Sequence, residues 1–367
     1  DKSVHPIANM PQIADDALNQ RFFNLYMDKE GLLWLSSTNC GVYKFNFPLQ
    51  QFRMIKLPSN PSESEKNKGV RSIYQMKNGD VWVGTRSKDL YVFDINGRLK
   101  KTFSYSKYHI GSVYYIMMDR KANLWLSTKG DGLVKAIPDA SSPDGFRFIH
   151  YKHDAKNVKS ISGNNVYMTY MDRCSRIWVC TLDGGLNLIS DHGGNVEFKN
   201  KYNGFSHYPQ YGQYMEARNM VEDRNGRIWV GTIDGLMSFE SKFTDVHKIR
   251  FETYHRRDLS TFANNDVYAL YKDHASNIWM CAFGGGINRL DTYDKDNHLP
   301  LFSSLGAKEG MQSNVVVSMV SDNHNRLWFG SDKGLSCYNP KTDRVRNFDK
   351  YDGFPDVTME ETASLYN

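Results

Sequence analysis

Seven times along the chain the same order of apolar and polar positions returns. First comes a run rich in Val, Tyr, Ile and Met, as at Val70–Gln75, Val166–Met171 and Val267–Lys272. A polar turn of Asp, Asn, Gly and Ser follows, then a second apolar run carrying Trp. Ser or Thr, a polar step, Gly and a third aliphatic run complete the unit, most clearly at residues 223–240. Short apolar runs between turn signals mark strands buried on both faces, and Asp, Asn and Gly tolerate tight-turn geometry. Each repeat therefore predicts an inner strand: Phe22–Met27, Val70–Gln75, Val113–Met118, Val166–Met171, Ala217–Glu222, Val267–Lys272 and Val316–Ser321. A Trp strand and an outgoing strand such as Leu133–Ile137 or Leu335–Asn339 come next. A short fourth strand closes the unit, for example Phe146–Tyr151, Lys248–Tyr254 or Arg344–Asp349.

All seven tryptophans (Trp34, Trp82, Trp125, Trp178, Trp229, Trp279 and Trp328) fall in copies of this phrase. A Trp-marked period of roughly 40–50 residues is the signature of a β-propeller. The expected fold is all-β: a seven-bladed propeller of four-stranded antiparallel blades. A small sheet apolar on both faces must be covered by neighbours, and stacking twisted sheets around an axis covers every copy at once. Trp at one fixed place would fill the wedge between adjacent blades. The position two residues on holds Ser36, Gly84, Ser127, Cys180, Gly231, Cys281 and Gly330, leaving room for the next sheet. Residues 21–348 are expected to form the propeller. Residues 1–20 would be a lead-in or the tail of a preceding unit, and 349–367 the start of a further blade or the next domain.

Composition changes this picture little. With 40% apolar and 24% charged residues the chain has the balance of a globular protein. No stretch reaches the roughly 18 apolar residues of a membrane span, and Asp1–Pro6 lacks the apolar core of a secretory leader. The net charge of +5 is spread through turns without forming a stripe, which argues against nucleic-acid binding. Of five cysteines, Cys180 and Cys281 occupy the small-residue row and read as buried, unpaired hydrophobes. Cys40, Cys174 and Cys337 show no metal spacing. The run Asp291–Asn297 lacks the central Gly and terminal Glu of a calcium loop and reads as a charged hairpin. No cofactor or metal is expected.

The phrases Asn225–Leu236 and Asn325–Leu335 resemble the regulator-propeller repeats of hybrid two-component sensors from gut Bacteroidetes. The inner strands within Asn264–Asp273 and Ser313–Asp322 and the outgoing strand within Gly334–Thr342 are similar to that family's too. The resemblance runs through residues 21–348, with small departures: the second copy lacks the leading Asp, and Asp89 stands near the usual Gly. It implies a periplasmic sensor region of an inner-membrane protein. In such sensors two seven-bladed propellers and a Tyr-rich immunoglobulin-like domain precede a histidine kinase, receiver domains and a DNA-binding module. It further implies that the sensor binds an oligosaccharide and regulates transcription of genes for polysaccharide utilisation. Expected partners are that sugar, the second propeller and immunoglobulin-like domain of the same full-length chain, and a second copy where the sensor dimerises.

Propellers bind at the mouth of the central channel, where the links between blades converge and vary. The link Ser206–Arg218 clusters Tyr208, Tyr211 and Tyr214 near Arg218, and the link beginning at His255 adds Arg256. A row at the start of the inner strands holds Phe23, Arg71, Tyr114, Tyr167, Arg218, Tyr268 and Val317. Stacking rings and cations there would form a collar for a sugar; the other role open to these tyrosines is packing between blades with the hydroxyl in water. Asn39, Arg86, Lys88, Asp89, Lys129, Asp131, Asp183, Asp234 and Lys333 reach the same face from the turns after the Trp strands and read mainly as solvated. The rival function is a glycoside hydrolase or lyase on a propeller scaffold. Glu216 and Asp266, at equivalent places of neighbouring blades, are its candidate carboxylates. A protein-interaction scaffold is the third alternative.

Overall fold

The computed structural model describes residues 22–27, 33–37, 42–45, 54–58, 69–210, 214–256, 264–294, 296–348 and 352. The chain divides into two compact units, residues 1–54 with 349–355, and residues 55–348 with 356–367. The second unit holds six four-stranded antiparallel sheets, each in the order inner, Trp, outgoing, outer. Their inner strands are Val70–Gln75, Ser112–Met118, Val166–Met171, Ala217–Glu222, Val267–Lys272 and Val316–Ser321, here the inner strands of blades 1 to 6. The first unit contributes a three-stranded sheet of Phe22–Met27, Leu33–Ser37 and Val42–Phe45.

The expected seven four-stranded blades are thus corrected to six. The repeated phrase specifies an inner strand, a Trp strand and an outgoing strand. It says nothing of the fourth strand or of which sheets stack together, so counting tryptophans counts phrases, not blades. Trp34 marks a phrase whose sheet has three strands among the described residues. The fourth strand was also the least legible element within the blades. In blade 4 it is Glu252–Tyr254, shorter than the expected Lys248–Tyr254, because Val246–Lys248 turns as a 3-10 helix capped by Asp245.

Buried apolar side chains form layers between consecutive blades. Trp82 packs with Val113, Ile116 and Leu124 of blade 2, Trp229 with Val267 and Met280 of blade 5, and Trp279 with Val316 and Phe329 of blade 6. The indoles of Trp125, Trp178 and Trp229 are at most 2% exposed. Trp178 also meets the rings of Phe239 and Phe243 in the next blade. The wedge role holds, and so does that of the small row: a Cβ on Gly231 would come within 2.7 Å of Val267 in the neighbouring sheet. Cys180 and Cys281 are fully buried there, and burial pushes both thiols up.

The polar residues of the phrase hold its two turns. Asp119 accepts the backbone N–H of Lys121 and Asn123 on one oxygen and the indole N–H of Trp125, at 2.9 Å, on the other. The same indole bond joins Asp172 to Trp178, Asp223 to Trp229, Asp273 to Trp279 and Asp322 to Trp328. At the opposite end of the Trp strand, Thr128, Thr181 and Thr232 close the next turn by donating to the carbonyls of Gly132, Gly185 and Gly235. Thr85 bonds the Asp89 carbonyl in the same way, so the departure there leaves the turn intact.

Candidate functional site

At the mouth end, every inner strand breaks its pairing at one residue. The register with the Trp strand shifts between Val70 and Ser72, Val113 and Tyr115, Val166 and Met168, Ala217 and Asn219, Val267 and Ala269, and Val316 and Ser318. The skipped residues are Arg71, Tyr114, Tyr167, Arg218, Tyr268 and Val317. A bulge leaves one residue out of the ladder and re-aims its side chain, so a single backbone device presents the whole collar row. The row is legible in the repeat; the bulge behind it is not. The first sheet shifts likewise between Phe22 and Asn24, whose skipped residue is Phe23.

The six inner strands line one central cavity of about 410 Å³, and Tyr167, Arg218 and Tyr268 stand in its wall. The row makes two runs of contacts. In blades 1 to 3, the Arg71 guanidinium lies over the Tyr114 ring at 5.1 Å, and Tyr114 meets Tyr167 edge to face at 5.1 Å. In blades 4 and 5, Arg218 lies over Tyr268 at 4.7 Å, and Tyr268 meets Phe283 at 5.7 Å. A cation over a ring face is attracted by the ring's quadrupole, so each pair fixes its two side chains relative to one another. Phe283, 46% exposed, escaped the sequence reading because a lone aromatic in a turn carries no periodic signal.

The two carboxylates fall beside Arg218. Asp266 forms an ion pair with it at 2.8 Å. Burial raises the Glu216 carboxyl above its ordinary range; the Arg218 charge opposes this and the Asp266 charge adds to it. His255 faces Asp234 at 3.2 Å and Asn265 at 2.6 Å, on the rim. Arg256 is exposed, with its backbone N–H held by Asn265.

The link tyrosines are placed otherwise. Tyr208 is 2% exposed, packs on Phe205, and spends its hydroxyl on the carbonyl of Tyr214 and the N–H of Leu186. Tyr214 is buried in the same cluster as Trp178. Both are core residues, because the link folds back over the apolar layer between blades 3 and 4. Tyr211 lies outside the described residues. In the run Asp291–Asn297, Asp294 accepts from the backbone of Asp296 and Asn297, closing a hairpin as expected. Among the described residues no group of His, Cys, Asp and Glu has the arrangement of a metal site, and no helix is long and apolar enough to cross a membrane.

Comparison with known proteins supports the resemblance drawn from the repeats. The model of the two-component regulator propeller matches residues 212–234 and 310–333, each spanning a whole inner strand and the whole Trp strand after it. Histidine kinase P4 of Formosa agariphila is 24% identical over 251 residues, which is 63% of this chain and 17% of that protein. Among solved structures, the extracellular domain of a hybrid two-component system from B. thetaiotaomicron aligns with a TM-score of 0.64 at 16% identity, over 94% of this chain and 49% of that one. Virginiamycin B lyase from Staphylococcus aureus aligns with a TM-score of 0.55 at 9% identity, over 77% of this chain and 84% of that one. Both likenesses are of fold. The chain spans about half of the former structure and a far smaller part of the kinase.

Proposed function

We propose that this chain, a two-component regulator propeller by its repeats, is the ligand-sensing part of a signalling protein, acting outside the cytoplasm and binding an oligosaccharide at the mouth of the propeller. The bulge row carries the proposal: one backbone irregularity, repeated in six inner strands, presents two cation-capped tyrosines and a third ring at the mouth end, with Tyr167, Arg218 and Tyr268 in the wall of the central cavity. Sugars offer apolar faces to rings and hydroxyls to a paired Arg and carboxylate, and Tyr268 with Arg218 and Asp266 offers both. The extracellular domain to which the fold is similar supports the location.

Signalling would follow from differential affinity. A sugar held more tightly in one arrangement of the parent protein's domains shifts the balance toward it. The test is a thermal-shift screen of the chain against pectin, arabinan, fructan, mannan and glycosaminoglycan oligosaccharides. One class should raise the unfolding temperature through mass action, and product analysis after long incubation should find that sugar intact. Cleavage abolished by Glu216→Gln would replace the sensor with a hydrolase or lyase. A flat response to every glycan would favour a protein-interaction scaffold.

A further inference from the structure

The central cavity runs inward from the collar. Arg218 and Tyr268 of the bulge row line it, and so do residues three and four places further along the inner strands, among them Tyr271 and Met118. At about 3.3 Å per residue that is a depth of roughly 10–13 Å. The wall differs from the collar in kind. Met117, Met118, Met168, Leu270 and Met319 bring apolar surface to it from blades 2, 3, 5 and 6. The open volume of about 410 Å³ is far larger than the voids a closely packed core leaves.

Phenol hydroxyls stand within this apolar wall and between the blades behind it, and they are used unequally. Tyr74, Tyr170 and Tyr271 occupy equivalent positions, opposite Trp82, Trp178 and Trp279 of their own blades. The Tyr170 hydroxyl accepts the N–H of Glu222 and the Tyr271 hydroxyl that of Ser321, each in the next blade. The Tyr74 hydroxyl makes no such bond among the described residues, and neither does that of Tyr115 in blade 2. Both side chains line the cavity. Burial raises both phenols, Tyr115 to about 12 with Tyr74 adding to the effect. A phenol among apolar groups favours a hydrogen-bond partner, so two donors there suit an acceptor that enters with an apolar ligand.

We propose that the cavity behind the collar receives an aromatic acyl group esterified to the bound saccharide, its carbonyl oxygen accepting from the hydroxyls of Tyr115 and Tyr74 while the sugar stays on Arg218, Asp266 and Tyr268. This deepens the sugar-sensing proposal and rests on it. Thioether sulfur is attracted to aromatic rings, and methionine side chains adapt to what they surround, so this wall favours a ring over an alkyl chain. A bare sugar reaching the same depth would turn its hydroxyls toward Met118, Leu270 and Met319, where they lose water without gaining partners.

The test is calorimetric titration of the whole chain with arabinobiose, galactobiose, mannobiose and cellobiose, each free and as its cinnamoyl ester. At least one ester should bind at least about tenfold more tightly than its free sugar, the scale of burying one ring. Tyr115→Phe should weaken that ester about fivefold, the worth of one neutral hydrogen bond, and leave the free sugar within about twofold. Val320→Tyr puts into the wall the residue that Tyr74 and Tyr271 already supply at the equivalent position, and should abolish the gain by filling the cavity. Thermal unfolding of the same samples reports whether each variant is folded, and Tyr115→Phe alone decides where Val320→Tyr is not. Esters no tighter than their free sugars, or a gain untouched by the folded variants, would overturn the acyl pocket and leave the sensor proposal standing. No binding by any sugar, free or esterified, would remove both.

Discussion

The two ends of each Trp strand differ in kind. At the turn end, five of the six blades repeat one device, an Asp that closes its own turn and accepts the following indole N–H. At the mouth end, the backbone repeats the same bulge but the side chain on it changes from Arg to Tyr to Val. Uniform chemistry at one end fixes the stack of sheets, and variable chemistry on an equally uniform backbone leaves the other end open to recognition. Altering the first should cost stability and altering the second should cost binding.

The sharpest way to break that division is at the indoles. Trp178→Ala should destabilise the chain by about 3–5 kcal/mol in chemical denaturation, the range for emptying a packed aromatic site, because Trp178 is fully buried between blades 3 and 4. A loss under about 1 kcal/mol would mean that the layers between blades do not depend on their wedges. Asp223→Ala comes next. It leaves the indole of Trp229 and the N–H groups of Asn225 and Arg227 without their acceptor, so about 2–3 kcal/mol should be lost on the same measurement. Blade 1 has Met76 at this position in place of Asp, and Met76→Ala should cost less than Asp223→Ala in the same titration.

A smaller effect should follow pH. Burial would raise the Asp322 carboxyl, but the Trp328 indole, the Arg326 backbone and side chain and the His324 backbone outweigh it and hold it down to about 2. A carboxyl depressed in the folded state stabilises the fold above its unfolded value of about 3.9 and loses that contribution as pH falls toward the folded value. Unfolding temperature should therefore fall between about pH 4 and 2, and Asp322→Asn should flatten its part of that decline.

Much of this was written in the sequence. The inner strands and the small row follow from apolar spacing and residue size, because a strand buried on both faces leaves little freedom. The purpose of the leading Asp was not legible, since a turn Asp needs no further reason until the indole is seen against it. Blade number is not legible because the phrase specifies three strands and not the fourth, and the Trp34 sheet has three among the described residues. The mouth is half legible: the row including Arg71 and Arg218 follows from the repeat, but Tyr208 and Tyr214 read as candidate ligand-binding residues and are buried in the core. An aromatic in a link looks the same in sequence whether it faces sugar or folds back onto Phe205.

The measurement that bears most directly on the division is a titration of the saccharide that binds the parent chain into Arg218→Gln, with unfolding followed on the same sample. Arg218 touches the collar ring Tyr268 and the rim carboxylate Asp266, and its pair is partly exposed, so its loss should cost under about 1 kcal/mol of stability. The account predicts affinity lowered at least about tenfold with unfolding nearly unchanged. Unchanged affinity, or binding lost only in step with unfolding, would contradict it.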